Sequence, residues 1–183
     1  MSWIHNMKIL VTGANGFVAK NLIQFLAEKP EVEVLKLYRD STAQHLEQMV
    51  LDADWIVHLA GVNRPQHDSE FIEGNVSLTE SICEILRQNQ KQTPIILSSS
   101  IQAERDNVYG KSKLGGEQAL NKLNQQNGNP IYISRLVNIF GKWSKPNYNS
   151  AVATFCYNIA NDLPIQINDE NAVIRLVYID DVV

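Results

Sequence analysis

The chain has 183 residues, of which 44% are hydrophobic and 20% are charged, with a formal net charge of −4. This length is enough for one domain with a hydrophobic core, and the composition is that of an ordinary globular protein. The chain has no run of basic residues, so we expect no nucleic-acid partner. No apolar stretch reaches the length of a membrane span, so we expect no membrane partner either.

The cysteines and histidines show no pattern of a metal or redox centre. Cys83 and Cys156 are far apart and form no motif, which is typical of buried thiols in a reducing cytoplasm. The four histidines have no metal-ligand spacing, and His58, within an apolar run, is expected to be structural. Because the N-terminus also lacks a signal-peptide pattern, we predict a cytoplasmic protein without a metal site.

A glycine-rich turn follows the first predicted strand. The apolar run Lys8–Thr12 predicts a buried strand, and a helical pattern begins after Gly16 and should end before Pro30. Gly13 permits a tight turn, and Gly16 lets a pyrophosphate approach the backbone N–H groups at the helix N-terminus. This placement, between the first strand and the first helix, predicts dinucleotide binding.

The second predicted strand, Glu31–Tyr38, ends in residues that bear on the choice of cofactor. Arg39 could pair with the 2′-phosphate of NADP, whereas an acid such as Asp40 is typical of sites that bind the ribose 2′-hydroxyl of NAD. Both side chains could also be solvated loop charges. Arg39 favours NADP(H) over NAD(H).

The stretch Ser41–Ala53 is too short for the usual third strand of a dinucleotide fold. It has room for one short helix before the next strand, Asp54–Gly61, since a parallel crossover alone takes about a dozen residues. We therefore predict that the third strand is missing and that the second strand lies at or near the sheet edge. The loop after Gly61 leaves the carboxyl end of a strand, where α/β proteins bind ligands. Its Arg64 could contact a phosphate or a sugar, or could simply be exposed.

The rest of the chain continues the alternation of helices and strands. A helix is predicted over Phe71–Gln88, with Asn75 as an inward polar residue near the site. The further predicted elements are a strand Thr93–Ser99, a helix Tyr109–Leu123, a strand Ile131–Ser134, a helix Ala151–Ala160, and short strands Pro164–Ile167 and Ala172–Tyr178. This order predicts an α/β fold with a doubly wound parallel sheet.

The stretch Leu97–Lys113 carries the predicted chemistry. Tyr109 and Lys113 are four residues apart and so lie on one face of a helix, where the ammonium would lower the pKa of the phenol from about 10. The serines Ser98–Ser100 end the preceding strand, and a serine hydroxyl could bond the same reacting oxygen. Such a set can move a proton to or from a carbonyl or alcohol oxygen while a hydride moves at its carbon.

Several separated motifs occur together in one order. They are Thr12-Gly-x-x-Gly16, Asp54–Gly61, Ser98–Ser100, Tyr109-x-x-x-Lys113, Arg135-x-x-Asn138-x-Phe-Gly141 and Val177–Asp181. With this set the chain resembles the extended short-chain dehydrogenase/reductase family, which includes NAD-dependent epimerases and dehydratases, over nearly its whole length. The runs GVNRPQHD, LSSSIQA and FGKWSKPNYNSAVATFCYNIA, with the short step from Ser100 to Tyr109, are similar to the CapF-type capsular-polysaccharide reductases.

The resemblance implies a Rossmann-like fold and a reductase. Such family members use NADPH to reduce the 4-keto group of a UDP-2-acetamido-2,6-dideoxy-hexos-4-ulose, a step toward UDP-N-acetyl-L-fucosamine for bacterial surface polysaccharide. By resemblance Tyr109 is the general acid at the C4 oxygen, and Lys113 lowers its pKa and holds the nicotinamide ribose. Ser100 is the implied catalytic serine, with Ser99 as the alternative. A homodimer through the helices around Asn75 and Tyr109 is also implied.

The resemblance also assigns binding residues. The implied cofactor-binding residues are Gly13, Asn15, Gly16, Phe17, Val18, Arg39, Leu59, Ala60, Gly61, Asn75, Ser98, Tyr109 and Lys113. The implied UDP-sugar-binding residues are Arg64, Ser100, Asn138, Lys142, Asn147 and Tyr148. Residues 1–141 would form the NADP-binding domain, and residues 142–183 would form the start of a substrate-binding region that is truncated relative to the family.

Two departures from the wider family narrow the prediction. Many relatives have an Asp-Glu pair after the catalytic serine or threonine for 4,6-dehydration, whereas Ile101-Gln102 follows here, which disfavours a dehydratase. CapF-type proteins also carry a C-terminal metal-binding cupin domain that this chain lacks, so neither a metal nor an epimerisation is assigned to it. A UDP-hexose 4-epimerase with tightly bound NAD and a non-catalytic NADP-binding sensor remain alternatives.

Overall fold

The computed structural model describes residues 6–63, 67, 71 and 73–183. A sheet of five parallel strands lies at its centre, in the order β2-β1-β3-β4-β5. The strands are β1 (Met7–Thr12), β2 (Val32–Leu37), β3 (Trp55–His58), β4 (Ile95–Ser100) and β5 (Ile131–Leu136). In the middle of the sheet Leu10 lies opposite Leu35 on one side and Ile56 on the other. Because β2 is an edge strand of the described sheet, the predicted loss of the usual third strand is confirmed.

The described residues form five α-helices. They are α1 (Phe17–Leu26), α2 (Ala43–Asp52), α3 (Leu78–Gln88), α4 (Val108–Asn127) and α5 (Ala151–Ala160). The longest, α4, begins where the Asn107 side chain accepts a hydrogen bond from the N–H of Gly110 at 2.7 Å. It ends at Gly128, which has the left-handed φ of +80°. Within the described residues no helix is long and apolar enough to cross a membrane.

Helices cover both faces of the sheet, and each face has its own hydrophobic core. Successive side chains of a strand point to opposite faces, so Leu10 belongs to one core and Val11 to the other. The larger core packs α2, α3 and α4 against the sheet, and the smaller core packs α1 through Ala19 and Leu26. This arrangement confirms the predicted Rossmann-like, doubly wound sheet.

The structure differs from the predicted helix over Phe71–Gln88 in the first turns of that segment. Residues Glu73–Ser77 form a π-helical turn, and α3 begins only at Leu78. Such turns are often found at functional sites. Here the turn buries Asn75, as predicted for an inward polar residue. Arg64 lies outside the described residues.

The prediction for residues 164–178 is partly wrong. Pro164–Ile167 is not a strand, because Pro164 has no N–H for a ladder and the side chains of Ile165 and Ile167 are exposed. Of Ala172–Tyr178 only the last three residues form a strand. That strand, β7 (Leu176–Tyr178), pairs in parallel with β6 (Asn138–Phe140), a short strand not predicted from the sequence.

Candidate active site

The glycine-rich turn between β1 and α1 lies at the carboxyl ends of the strands. Gly13 has a φ of +67°, and a Cβ on it would lie 2.8 Å from Ala60 Cα, so only glycine lets the turn approach the chain after β3. Gly16 is the N-cap of α1 and offers no side-chain cap. The N–H groups of Phe17 and Val18 therefore have no intrahelical partner. They are donors of the kind that a pyrophosphate needs.

Two adjoining clefts share this turn. One, with a cavity volume of about 520 Å³, extends toward the end of β2 and is lined by residues that include Asn15, Arg39 and Ala60. The other, of about 560 Å³, extends toward the ends of β4 and α4. The predicted site residues that line this second cleft are Phe17, Val18, Ser98, Ser100, Tyr109, Lys113 and Asn138. Because Gly13, Gly16, Leu59 and Gly61 line both clefts, the two form one continuous groove along the carboxyl ends of the strands.

A buried chain of hydrogen bonds surrounds His58 at the end of β3. Its Nδ1 lies 2.7 Å from Thr12 Oγ1, and its Nε2 lies 2.9 Å from Thr79 Oγ1. The Thr79 hydroxyl donates to the carbonyl of Asn75, so it accepts from Nε2–H, and Nδ1 accepts from Thr12. Burial lowers the pKa of His58 to about 4, with a smaller effect of the positive Lys113. The imidazole is thus neutral at pH 7 and plays the structural role expected from the sequence.

Asn75 holds the loop beside Lys113 and lines neither cleft. Its Oδ1 accepts from the N–H of Val62 at 2.8 Å, and its Nδ2 donates to Ser112 Oγ at 2.9 Å. A Cβ on Gly61 would lie 2.8 Å from Asn75 Oδ1 and 3.0 Å from Lys113 Nζ. The amide of Asn75, which is predicted to bind the cofactor, is therefore occupied by protein groups.

Three consecutive serines at the end of β4 contact three successive turns of α4. The pairs are Ser98 with Lys113, Ser99 with Glu117, and Ser100 with Tyr109. In the first pair the backbone carbonyl accepts from Lys113 Nζ at 3.3 Å, whereas in the others the serine side chain takes part. Ser99 is buried, and its hydroxyl is directed at Glu117. Ser100 is therefore the serine whose hydroxyl meets the phenol.

The electrostatics of the site keep Tyr109 protonated. Burial raises the pKa of Tyr109, and the hydrogen bond with Ser100 lowers it only in part. The expectation that the pKa of Tyr109 is lowered beside Lys113 is wrong here, because burial raises this pKa and Lys113 Nζ is 6.0 Å from the ring centroid. Burial also lowers the pKa of Lys113 to about 8, against the opposing effect of Glu117. At pH 7 the site thus pairs a neutral phenol with an ammonium.

Some residues predicted to bind substrate do not line the second cleft. Lys142 Nζ pairs with Asp180 Oδ1 at 3.1 Å, and the N–H of Asn147 donates to Thr154 Oγ1 at 2.9 Å. The ring of Tyr148 lies 5.6 Å from the ammonium of Lys145. The 142–148 loop thus makes a contact within itself and contacts Thr154 and Asp180 outside it. Among the predicted substrate residues in the described part of the chain, Ser100 and Asn138 reach the cleft.

Other residues at the site were not predicted. The hydroxyl of Tyr109 donates to Asn63 Oδ1 at 3.3 Å, and Gln102, Arg105 and Asn149 also line the second cleft. These four lie in loops or in a short turn, where spacing carries no signal. Glu117 is different, because it follows Lys113 by four residues and its position on the same helix face could be read from the sequence.

Known proteins resemble this chain in sequence over nearly its whole length. The profile of the NAD dependent epimerase/dehydratase family matches residues 9–183. The chain is 55% identical over 177 residues to the UDP-2-acetamido-2,6-beta-L-arabino-hexul-4-ose reductase of Pseudomonas aeruginosa, a match that covers 97% of this chain and 48% of that protein. It therefore spans about half the length of that relative.

Solved structures show the same relationship. The capsular polysaccharide assembling protein CapF of Staphylococcus aureus matches with 52% identity and a TM-score of 0.85, over 96% of this chain and 48% of that chain. The UDP-glucuronic acid 4-epimerase of Bacillus cereus, solved with UDP-glucuronic acid and NAD, matches with 20% identity and a TM-score of 0.85, over 96% of this chain and 70% of that chain. The epimerase is similar to this chain in fold only, whereas CapF is similar in fold and is also identical at about half of the aligned residues.

Proposed function

Because the chain belongs to the NAD-dependent epimerase/dehydratase family, we propose that it carries the catalytic site of an NADPH-dependent UDP-sugar 4-ketoreductase. The proposed substrate is a UDP-2-acetamido-2,6-dideoxy-hexos-4-ulose, reduced in the cytoplasm during synthesis of UDP-N-acetyl-L-fucosamine for bacterial capsular or surface polysaccharide. The observation that carries the proposal is the meeting of Ser100, Tyr109 and Lys113 in the cleft that adjoins the glycine-rich turn. The substrate of the Pseudomonas aeruginosa reductase supports the substrate class, and the role of CapF in capsular polysaccharide assembly supports the pathway.

NADP(H) is the proposed cofactor within the nicotinamide class that the family uses. The Gly13–Val18 turn presents backbone N–H groups and no side chain at its closest approach, which fits a pyrophosphate. Arg39 lines the same cleft and makes no ion pair with the residues that the structure describes, so its guanidinium is available for a 2′-phosphate. When bound, NADPH supplies the hydride for the C4 carbon of the sugar.

The side chains of the site handle the proton of this reduction. Burial keeps Tyr109 protonated at neutral pH, so the phenol can donate its proton to the C4 oxygen as negative charge develops there. Ser100 bonds the phenol, and its hydroxyl is proposed to bond the same substrate oxygen. The Lys113 ammonium lies on the same helix face, with its Nζ 6.0 Å from the centroid of the Tyr109 ring, and its proposed role is to hold the nicotinamide ribose. Residues with these roles favour a reductase.

A division of the chain into two parts is also proposed. Residues 1–141 would bind the cofactor, and residues 142–183 would begin the substrate-binding region. The boundary falls between β6 and β7, which pair with each other, so the two parts share a small sheet. Asn138 on β6 lines the second cleft and is the proposed first contact with the UDP-sugar, with the 142–148 loop and Arg64 as further proposed contacts.

A homodimer through α3 and α4 is a further proposal, by resemblance to the family. The outer groove between these helices is lined by Cys83, Ala119 and Leu123 at its apolar positions. Charged residues of both signs, including Glu80, Glu84, Arg87 and Lys122, surround them. Such a mixed surface suits two copies that pair opposite charges around a small apolar centre.

The reductase is tested by mixing the protein with NADPH and the UDP-4-keto sugar and following the absorbance of reduced nicotinamide. We expect Tyr109→Phe to lower kcat by about 10²–10⁴-fold with little change in NADPH affinity, because only the proton donor is removed. Tyr132→Phe is the matched control, since Tyr132 stacks on Trp55 at 5.9 Å and does not line the groove. NADPH binding without consumption by the unchanged protein would support the sensor, and NAD released on denaturation would support the epimerase.

A further inference from the structure

We propose that Glu117 is a positioning residue that keeps Lys113 in its ammonium form and fixes the end of β4 against α4. The inference deepens the proposed reductase site and rests on that proposed function for its catalytic meaning. Nothing in the reaction requires Glu117 to touch substrate or cofactor. Its effect is exerted through Lys113, one helical turn away on the same face of α4.

Glu117 is a buried carboxylate whose oxygens are fully engaged. The residue is only 4% exposed. Its Oε1 accepts from Arg135 Nε at 3.0 Å and from the Ser99 hydroxyl, and its Oε2 accepts from Arg135 Nη2 at 2.7 Å. Although burial opposes ionisation, these bonds outweigh it and lower the pKa of Glu117 overall. The site therefore holds a permanent negative charge at neutral pH.

Glu117 lies one helical turn from the buried ammonium of Lys113, on the same face of α4. Burial lowers the pKa of Lys113 to about 8, and Glu117 is the group that raises it. The other elements around Lys113 offer no second anion among the described residues. Strand β4 provides the Ser98 carbonyl, the π-helical turn provides Asn75, and β3 provides the neutral His58. Without Glu117, burial of the ammonium would have no compensating charge.

The same carboxylate ties together the elements that carry the catalytic groups. Arg135 on β5 donates hydrogen bonds to Glu117 on α4, and its Nη1 also donates to Glu104 Oε1 at 2.7 Å. Glu104 ends the 3₁₀ turn Ile101–Glu104, and Ser100 caps that turn by accepting from the N–H of Gln102 at 3.1 Å. Strands β4 and β5, the turn and α4 are thus joined at one point. The distance between Ser100 and the α4 side chains depends on it.

The direct test is a titration of Lys113 by carbon NMR in protein labelled at the lysine ε-carbons, with the resonance assigned through Lys113→Arg. The unchanged protein should give a titration midpoint near pH 8. Glu117→Gln keeps the shape and an acceptor for Ser99 but loses the charge, so the midpoint should move to lower pH. Glu104→Gln is the matched control, because it removes a carboxylate from the same Arg135 at the exposed end and should leave the midpoint unchanged.

A second variant should shift the Lys113 midpoint in the opposite direction. It also provides a test if Glu117→Gln does not fold. Arg135→Gln removes the cation that competes for Glu117, so the Lys113 midpoint should move to higher pH. Equal midpoints in the unchanged protein and in the folded Glu117 or Arg135 variant would overturn the inference. So would an equal shift in Glu104→Gln.

A kinetic readout separates positioning from a merely structural role. With NADPH and the keto sugar, the alkaline limb of kcat/KM should move to lower pH in Glu117→Gln, whereas general loosening would lower the rate at every pH and leave the limb in place. The NMR titration requires no turnover. A protein that consumes no NADPH would refute the proposed function, while the Lys113 midpoints would still decide the role of Glu117.

Discussion

Lowering the pH from 7 to 5 should destabilise the protein through His58. The imidazole is 1% exposed, and both ring nitrogens are bonded to threonine hydroxyls. In the neutral ring Nδ1 accepts a hydrogen bond from the Thr12 hydroxyl, and Thr12 Oγ1 already accepts from two backbone N–H groups. A second ring proton would turn Nδ1 into a donor that points at this oxygen. It would also place a buried charge near Lys113. Burial of the charged form, with a smaller effect of the positive Lys113, lowers the pKa of His58 from 6.5 to about 4.

The magnitude follows from the linkage between proton binding and folding. The unfolded chain takes up the proton near pH 6.5 and the folded protein only near pH 4, so the folded state binds fewer protons between these values and loses stability as the pH falls. At about 1.4 kcal/mol for each pH unit, this interval corresponds to about 3 kcal/mol, of which about 2 kcal/mol is lost by pH 5. Above pH 6.5 the contribution is fully present.

The assay is urea unfolding followed by far-ultraviolet circular dichroism at pH 7 and pH 5, for the unchanged protein and for His58→Gln. Glutamine offers one donor and one acceptor to the two threonines but does not titrate. The unchanged protein should lose about 2 kcal/mol more than the variant between the two pH values. Equal losses in both proteins would show that another group carries the pH dependence, whatever the variant's stability at pH 7.

Two further predictions concern the cofactor and the assembly. Arg39→Gln should weaken NADPH binding about tenfold or more and leave NADH binding nearly unchanged, because only NADPH carries the 2′-phosphate, as fluorescence titration of both nucleotides would show. Equal weakening for the two nucleotides would contradict the role of Arg39. Light scattering should give the mass of a dimer for the unchanged protein and of a monomer for Ala119→Arg, which puts a long cation into the groove between α3 and α4. A monomeric unchanged protein would refute the proposed interface.

Local features of the sequence were sufficient wherever a residue's role depends on its chain neighbours. The turn at Gly13 needs a positive φ, and a helix cannot readily continue into Pro30, so both features follow from the residue types. The missing third strand follows from the number of residues in Ser41–Ala53, because a crossover has a minimum length. The family itself could be identified from motifs, since their order along the chain is a property of the sequence alone.

Segments without such constraints were predicted less well. The apolar residues near Pro164 have the composition of a strand, but a strand also requires a neighbour with free backbone groups, and the described structure places none beside Pro164–Ile167. Strand β6 was not predicted for the converse reason. Its three residues become a strand because β7, some 38 residues later, pairs with Asn138.

The sequence by itself thus determined the order of the elements, the cofactor turn, and the spacing of Tyr109 and Lys113 on one helix face. Only the tertiary structure decided that Ser99 turns to Glu117 while Ser100 meets the phenol, because the pleat of β4 alternates its side chains and only packing against α4 selects their partners. It also decided the direction of the Tyr109 pKa. Spacing predicts that an ammonium is near, but Lys113 Nζ lies 6.0 Å from the ring centroid, and burial, which sums contacts from elements distant in the chain, raises the pKa.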